Sequence, residues 1–236
     1  MKNIIYKIYS ASFASFPLPA LSPPSAPIGV HRPSLAVALF LLSLFTLPAH
    51  SQTNAIEQFR AFVQSTQSAR ADFTQTTTDA NGKVGKPQTG NVQFQRPGKF
   101  RWVIDKPAQT IIGDGKRVWL FDQDLNQVTI RKIETAFSST PAALLAGRAE
   151  VEAAFTLVAG GQSEELSWVI AEPKQKDAGI EKIRMGFLAN DLRRMELADA
   201  FGNKTRITFS KLEKNPKLDA KIFTFVPPKG ADVVGE

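Results

Sequence analysis

The chain of 236 residues contains no cysteine. No disulfide framework can hold it together, and no thiolate can serve as nucleophile or metal ligand. Its 2 histidines, His31 and His50, and its 2 tyrosines, Tyr6 and Tyr9, all fall before residue 52. From Gln52 onward, no side chain has an ordinary pKa between those of Glu and Lys. This excludes a Ser-His-Asp triad, a cysteine nucleophile and a His/Cys zinc site from that region. Carboxylate pairs, Lys and Ser are what remain for catalysis. A phosphate loop of the G-x-x-x-x-G-K-[ST] kind is also missing. The formal net charge of +7 is spread along the chain without long runs of one sign, which argues against nucleic acid as a partner. No metal and no cofactor are expected.

Residues 1–51 lack acids altogether, and Lys2, Lys7 and Arg32 are their strong bases. Residues 17–33 are rich in Pro and Ser. An apolar run from Leu35 to Leu47 follows His31-Arg32 and leads into Pro48-Ala-His-Ser51. A basic flank, a short apolar core and small residues at Ala49 and Ser51 describe a secretory signal peptide. The core is too short to span a bilayer comfortably as a helix. We expect cleavage after Ser51, export, and one domain over residues 52–236. Val30 immediately precedes a signal peptide of ordinary length, so 1–29 reads as a start-site artefact. Mass spectrometry of the precursor checks this, since a peptide spanning Ile4 to Ser22 would rule it out.

The exported part is dominated by strand patterns. Ile56, Phe59, Phe62 and Val63 first share one helical face, with Asn54 as N-cap. Ala69 to Thr78 then reads as a strand, and Asn81-Gly82 as a hairpin signal. Val92 and Phe94 alternate with polar residues up to the break at Arg96-Pro97-Gly98. Phe100, Trp102 and Ile104 alternate again. Asp114-Gly115 marks a tight turn before Val118 to Phe121, and Val128 and Ile130 follow. Ser139 to Gly147 reads as a helix with a polar cap, Pro in the first turn and Gly at its end, and 149–154 as a further helical turn. Strand signals resume at Phe155–Leu157, Leu166–Ile170, Ile183–Phe187, Arg193–Ala198, Thr205–Phe209 and Ile222–Val226. The class is mainly β (α+β): ten or eleven short strands in one strongly curved antiparallel sheet or barrel. The two small helical pieces cannot cover all of its surface, but they can plug or lid a concave face.

Several constellations have plain structural readings. Asp122, Asp124 and Asn126 have calcium-loop spacing, but Gln127 stands where Gly is needed and Ile133 where Glu is needed. A solvated turn is the better reading. Asp105, Asp114, Asp122 and Asp124 sit near strand ends and offer carboxylates for a hydrolase, with nothing that singles out a pair. The Phe and Trp residues fit an ordinary core and an apolar ligand cavity equally well. Arg96, by residue type alone, reads as a solvated turn arginine, because Arg is rarely buried unpaired.

The block Phe94-Gln-Arg-Pro-Gly-Lys-Phe-Arg-Trp102, then Asp114-Gly-Lys-Arg-Val-Trp119, then Asp122 to Arg131, resembles the periplasmic outer-membrane lipoprotein carrier (LolA) family. Phe73-Thr-Gln75, Pro141-Ala-Ala-Leu-Leu145 and Phe223-Thr-Phe-Val-Pro-Pro-Lys-Gly-Ala-Asp232 agree in order, so the resemblance covers residues 54–234. It implies an unclosed antiparallel β-barrel of about eleven strands, with short α-helices lidding an apolar cavity. It also implies a monomeric, non-enzymatic chaperone. Such a carrier takes acylated lipoproteins from an inner-membrane ABC transporter and hands them to an outer-membrane receptor. Arg96 then falls on the family's lid latch, and Phe59, Val63, Leu144, Leu145 and Ala146 on its lid helices. The wall of the acyl-chain cavity falls on Phe73, Val92, Phe94, Phe100, Trp102, Ile104, Trp119 and Phe121. Phe100 matches a position near the cavity mouth implicated in partner contact. A periplasmic lipid-binding sensor domain and a carboxylate-based hydrolase stay open as alternatives.

Overall fold

The computed structural model describes residues 54–136, 140–147, 149–175 and 179–235. The expected leader with its cleavage site, and Ser139 of the expected second helix, lie outside them. The order of elements is α1 (Ala55–Ser65), β1 (Ser68–Thr78), β2 (Gln88–Gln95), β3 (Lys99–Ile104), β4 (Gln109–Asp114), β5 (Arg117–Asp122) and β6 (Gln127–Lys132). Three short helices follow: α2 (Ile133–Ala136), α3 (Pro141–Ala146) and α4 (Ala149–Ala154). Then come β7 (Phe155–Ser163), β8 (Leu166–Pro173), β9 (Ile180–Leu188), β10 (Asp191–Asp199), β11 (Lys204–Lys214), a 3-10 turn at Ala220–Phe223, and β12 (Asp232–Gly235).

All the strands form one 12-stranded sheet in the order β12-β6-β5-β4-β3-β2-β1-β11-β10-β9-β8-β7. Neighbours run antiparallel, except β12, which lies parallel to β6. β12 and β7 end the order without pairing to each other, so the barrel is unclosed, as expected. The sheet must nevertheless curl. Between β2 and β9 lie 4 strand-to-strand steps, about 19 Å on a flat sheet at about 4.8 Å per step. Yet the single ring of Phe62 on α1 reaches Phe94 on β2 (centroids 6.5 Å apart) and Phe187 on β9 (5.8 Å). Only a sheet wrapped around α1 brings both within reach.

Alternation assigns the two faces. Phe94, Phe100, Gly113 and Val118 are cross-strand neighbours on the concave face, as are Ala71, Val92, Trp102 and Ile111. The other half of that face comes from Ile207, Met195, Met185 and Val169, paired in turn from β11 to β8. Two glycines make room for large rings. A Cβ on Gly90 would lie 2.7 Å from the Phe73 ring and 1.9 Å from the Val103 carbonyl oxygen, and one on Gly113 would lie 2.4 Å from the Phe100 ring. Phe100 is fully buried, so its ring has nowhere to retreat. Gly113→Ala is expected to cost about 1–3 kcal/mol through overpacking. Urea denaturation checks this, and an unchanged midpoint would show that the ring can shift freely.

The expected strand at Ile222–Val226 is not one. Asp219 caps the 3-10 turn by accepting the Lys221 N–H (2.9 Å), and the segment then crosses the convex face. Phe225 there meets the rings of Trp119 (5.9 Å) and Phe121 (5.8 Å). The alternation of Phe223 and Phe225 reflects packing onto a sheet, not pairing within one. The chain's last strand, β12, lies beyond this segment and was not foreseen. Asp122 behaves as a turn residue, accepting the N–H groups of Asp124 and Leu125 (3.1 Å each).

Candidate functional site

Two helices fill the concave face. Asn54 starts α1, its Oδ1 accepting the Ile56 N–H at 3.1 Å. The helix buries Phe59 and Phe62, and Val63 packs half-buried beside them. Phe59 meets Phe187 edge-on at 6.2 Å. Thr140 caps α3, accepting the Ala143 N–H at 3.3 Å, and Pro141 occupies the first turn. Every residue from Ala142 to Ala146 is buried. Three alanines let this helix lie close upon β2 and β3, while Leu144 and Leu145 provide its larger apolar contacts.

Beneath the helices is an aromatic floor. Phe73 stacks on Trp102 at 4.2 Å, and Trp102 meets Phe209 edge-on at 6.3 Å. Val92, Phe94, Phe100 and Ile104 complete the part of this floor foreseen from the sequence, and all are buried. Trp119 and Phe121 do not belong to it. They sit on the opposite face against Phe225, and Val118 and Leu120 hold the concave positions of β5. The stretch Val118-Trp-Leu-Phe121 is apolar on both faces, so its period could not assign them. The far wall, with Met185, Phe187, Leu192, Met195, Ile207 and Phe209, was not singled out beforehand. Its signal was present in the alternation of Ile183, Met185 and Phe187.

The lid is seated. Between Phe62, Leu145, Phe94 and Phe209 only about 10 Å³ remains, room for one water at most. A larger open recess of about 270 Å³ lies where the first residues of α3 face Trp102, Ile104, Leu197 and Ile207.

Arg96 joins the two helices to the sheet. It follows the last residue of β2, and its side chain is buried at 7 % exposure. Its Nε donates to the carbonyl of Gly147 at 3.0 Å, and its Nη1 donates to the carbonyl of Thr66. Thr66 is the C-cap of α1, and Gly147 is the C-cap of α3. Carbonyls at helix C-termini lack partners within the helix and carry the negative end of its dipole, so a guanidinium suits both. The cation also lies over the rings of Phe94 (4.7 Å) and Phe62 (5.3 Å). Two main-chain bonds reinforce the junction, from Gly98 N–H to the Ala146 carbonyl (3.0 Å) and from Arg96 N–H to the Gln67 carbonyl (2.8 Å).

The acidic groups near strand ends serve turns. Asp199 is held below the usual carboxylate range by the Asn203 side-chain amide, helped by main-chain N–H groups of the same turn. Burial pushes Asp114 up, but the N–H groups of Arg117 and Lys116 and the Trp119 indole outweigh it and leave its pKa lowered. Both are ionised at neutral pH, the opposite of what a general acid requires.

The family model described as outer membrane lipoprotein carrier protein LolA matches residues 64–226. The outer-membrane lipoprotein carrier protein of Dechloromonas aromatica is 47% identical over 191 residues, covering 80% of this chain and 92% of that protein. Its counterpart in Methylobacillus flagellatus is 46% identical over 203 residues, covering 86% and 98%. The crystal structure of a LolA superfamily protein from Nitrosomonas europaea aligns with a TM-score of 0.44 at 13% identity, over 73% of this chain and 98% of that one. The chain belongs to the outer-membrane lipoprotein carrier family, LolA.

Proposed function

We propose that this protein is a periplasmic carrier that shields the acyl chains of lipoproteins on its concave apolar face. It receives them from a transporter of the inner membrane and yields them to a receptor of the outer membrane. The observation that carries this reading is the seating of α1 and α3 on an aromatic floor, with the buried arginine Arg96 bonded to the ends of both helices. An apolar face covered by helices that a few polar bonds fasten is what a reversible lipid shield needs.

The physics makes a carrier necessary. A mature bacterial lipoprotein has three acyl chains, on the order of 40–50 methylenes in all. At about 0.8 kcal/mol per buried CH₂, extraction into water costs tens of kcal/mol. The carrier must replace the membrane with apolar surface, and Phe, Leu, Ile and Met do so with few polar atoms to fix one ligand pose. When empty it must also hide that surface, since a large exposed apolar patch drives aggregation. In this protein α1 and α3 do the hiding. Opening moves them aside and exposes the floor of Phe73, Phe94, Phe100 and Trp102. Charge-assisted hydrogen bonds at Arg96 hold the closed form by about 1–3 kcal/mol. That bias lowers the affinity for cargo and so favours its onward transfer. The role is binding rather than catalysis.

Co-purification from the periplasm tests this reading. Intact triacylated lipoprotein bound one-to-one to monomeric protein is the expected result. Free lipid alone would point to a lipid sensor, and turnover of a bound lipid or glycan to a hydrolase; either would displace the carrier reading.

A further inference from the structure

Two turns at one end of the sheet are built alike. Asp79-Ala-Asn-Gly-Lys83 follows β1, and Asp199-Ala-Phe-Gly-Asn203 joins β10 to β11. In the first, the Asp79 carboxylate accepts the N–H groups of Asn81 and Lys83 (2.9 Å each). In the second, Asp199 accepts those of Phe201 (2.9 Å) and Asn203 (2.8 Å). The main-chain bonds match as well. Gly82 N–H donates to the Asp79 carbonyl and Asp79 N–H to that of Lys83, and Gly202 and Asp199 do the same with Asp199 and Asn203. Both glycines have a φ of +85°, where glycine is favoured. The turns lie side by side, since a Cβ on Gly202 would come within 3.1 Å of the Ala80 Cβ. They differ at the apex, where one carries Asn81 and the other Phe201, which is 80 % exposed.

A single exposed apolar residue is ordinary and by itself asks for no explanation. Phe201 differs because its twin shows the same turn closing around a polar apex. The turn does not need the ring, and a ring so exposed adds little packing. Its surroundings are apolar and basic. Val84 is 64 % exposed and lies across from Thr78, which lies across from Lys204. Lys83, Lys86, Lys106 and Lys204 are exposed, and among the described residues none of them is held in a salt bridge. Against them stand Asp105, which accepts the Thr89 hydroxyl at 2.7 Å, and Glu181 at the start of β9. Asp79 and Asp199 spend their carboxylates on their own turns.

We propose that this tip, Phe201 with Val84 among exposed lysines, is where the protein touches an anionic phospholipid surface. The ring enters the acyl boundary while the ammonium groups meet lipid phosphates. A protein partner would be expected to seal such a ring inside a wider close-packed patch that excludes water. Here the ring stands at the apex of a turn between polar strands, and a fluid bilayer needs no complementary surface. One ring and a few cations make the contact weak and reversible.

The test uses the exported protein and vesicles of phosphatidylethanolamine and phosphatidylglycerol in equal parts. No lipoprotein is present, so the result stands apart from the carrier reading. The wild type is expected to co-sediment with these vesicles, to come off in high salt, and to ignore phosphatidylcholine vesicles. Phe201→Asn gives the turn the apex residue of its twin, which keeps the fold. It should lower the partition coefficient about tenfold or more. Phe201→Cys carries an environment-sensitive fluorophore, since the natural chain has no other cysteine. Its emission should rise on the anionic vesicles. Unchanged emission there overturns the proposal, whatever the fold of Phe201→Asn. So does wild-type partitioning by a folded Phe201→Asn, or equal binding of the wild type to phosphatidylcholine. Wild-type protein that ignores bare vesicles but binds native membranes until their proteins are digested makes the tip a protein contact, which also overturns it.

Discussion

Arg96→Leu is expected to load lipoprotein as well as the wild type or better, and to deliver it at least tenfold more slowly. The substitution removes the donors to the Thr66 and Gly147 carbonyls and the cation above Phe62 and Phe94. The closed form then buries two helix-end carbonyls deprived of these bonds, which penalises it further. The open form loses nothing comparable, because there the carbonyls can meet water. A change of about 1–3 kcal/mol in the closed–open balance corresponds to roughly 5–150-fold in apparent affinity. The gain in cargo affinity is a loss in release. Arg96→Lys should fall between, since one ammonium cannot reproduce a fork that spans two helix ends. Reconstituted transfer from carrier to outer-membrane receptor measures this. Delivery at the wild-type rate by Arg96→Leu would end the latch assignment.

Phe62→Ala is expected to have the largest effect on stability, about 3–5 kcal/mol. Phe62 is 2 % exposed and lies between Phe94, Phe187 and the Arg96 guanidinium. It is where the two walls of the curled sheet meet a common side chain. Truncation leaves a cavity that the wrapped sheet cannot readily collapse, because α1 is also held at its end through Thr66. Urea denaturation reads the loss, and limited proteolysis of α1 reads the accompanying loosening of the lid. A loss below about 1 kcal/mol would mean that the helix simply slides to refill the space.

Much of this architecture was legible from residue order, for a physical reason. Val92, Phe94, Phe100, Trp102 and Ile104 alternate strictly with polar or half-buried neighbours, and a half-buried strand has period two. The caps of α1 and α3 were equally readable, since Asn, Thr and Pro act locally. Legibility failed where apolar residues occupy both faces. In β5, Trp119 and Phe121 belong to a second, smaller layer under Phe225, and the parity that separates them from Val118 and Leu120 appears only with the register. β12 could not be foreseen because its pairing with β6 is long-range and parallel. The surroundings of Arg96 were the hardest to read. Its partners at Thr66 and Gly147 are main-chain carbonyls, which every residue carries, so no residue type announces them. Its assignment came from resemblance to the family, and the bonds that give it a physical basis came from the fold.

The pairing of β1 with β11 has a consequence for how the chain reaches its folded state. The meander from β1 to β6 consists of neighbouring hairpins and can form before the later strands are in place. One margin of that meander, β1, stays uncovered until Lys204–Lys214 arrives. During that interval the half-built sheet presents a row of free main-chain groups beside bare aromatic rings, a template for association with other chains. The outward side of β1 carries Arg70, Asp72, Thr74, Thr76 and Thr78, charged and polar side chains of the kind that blunt an edge. In the finished protein Arg70 and Asp72 pair with Glu213 and Lys211 of β11. The charges that discourage wrong partners during folding are thus the ones that greet the right strand.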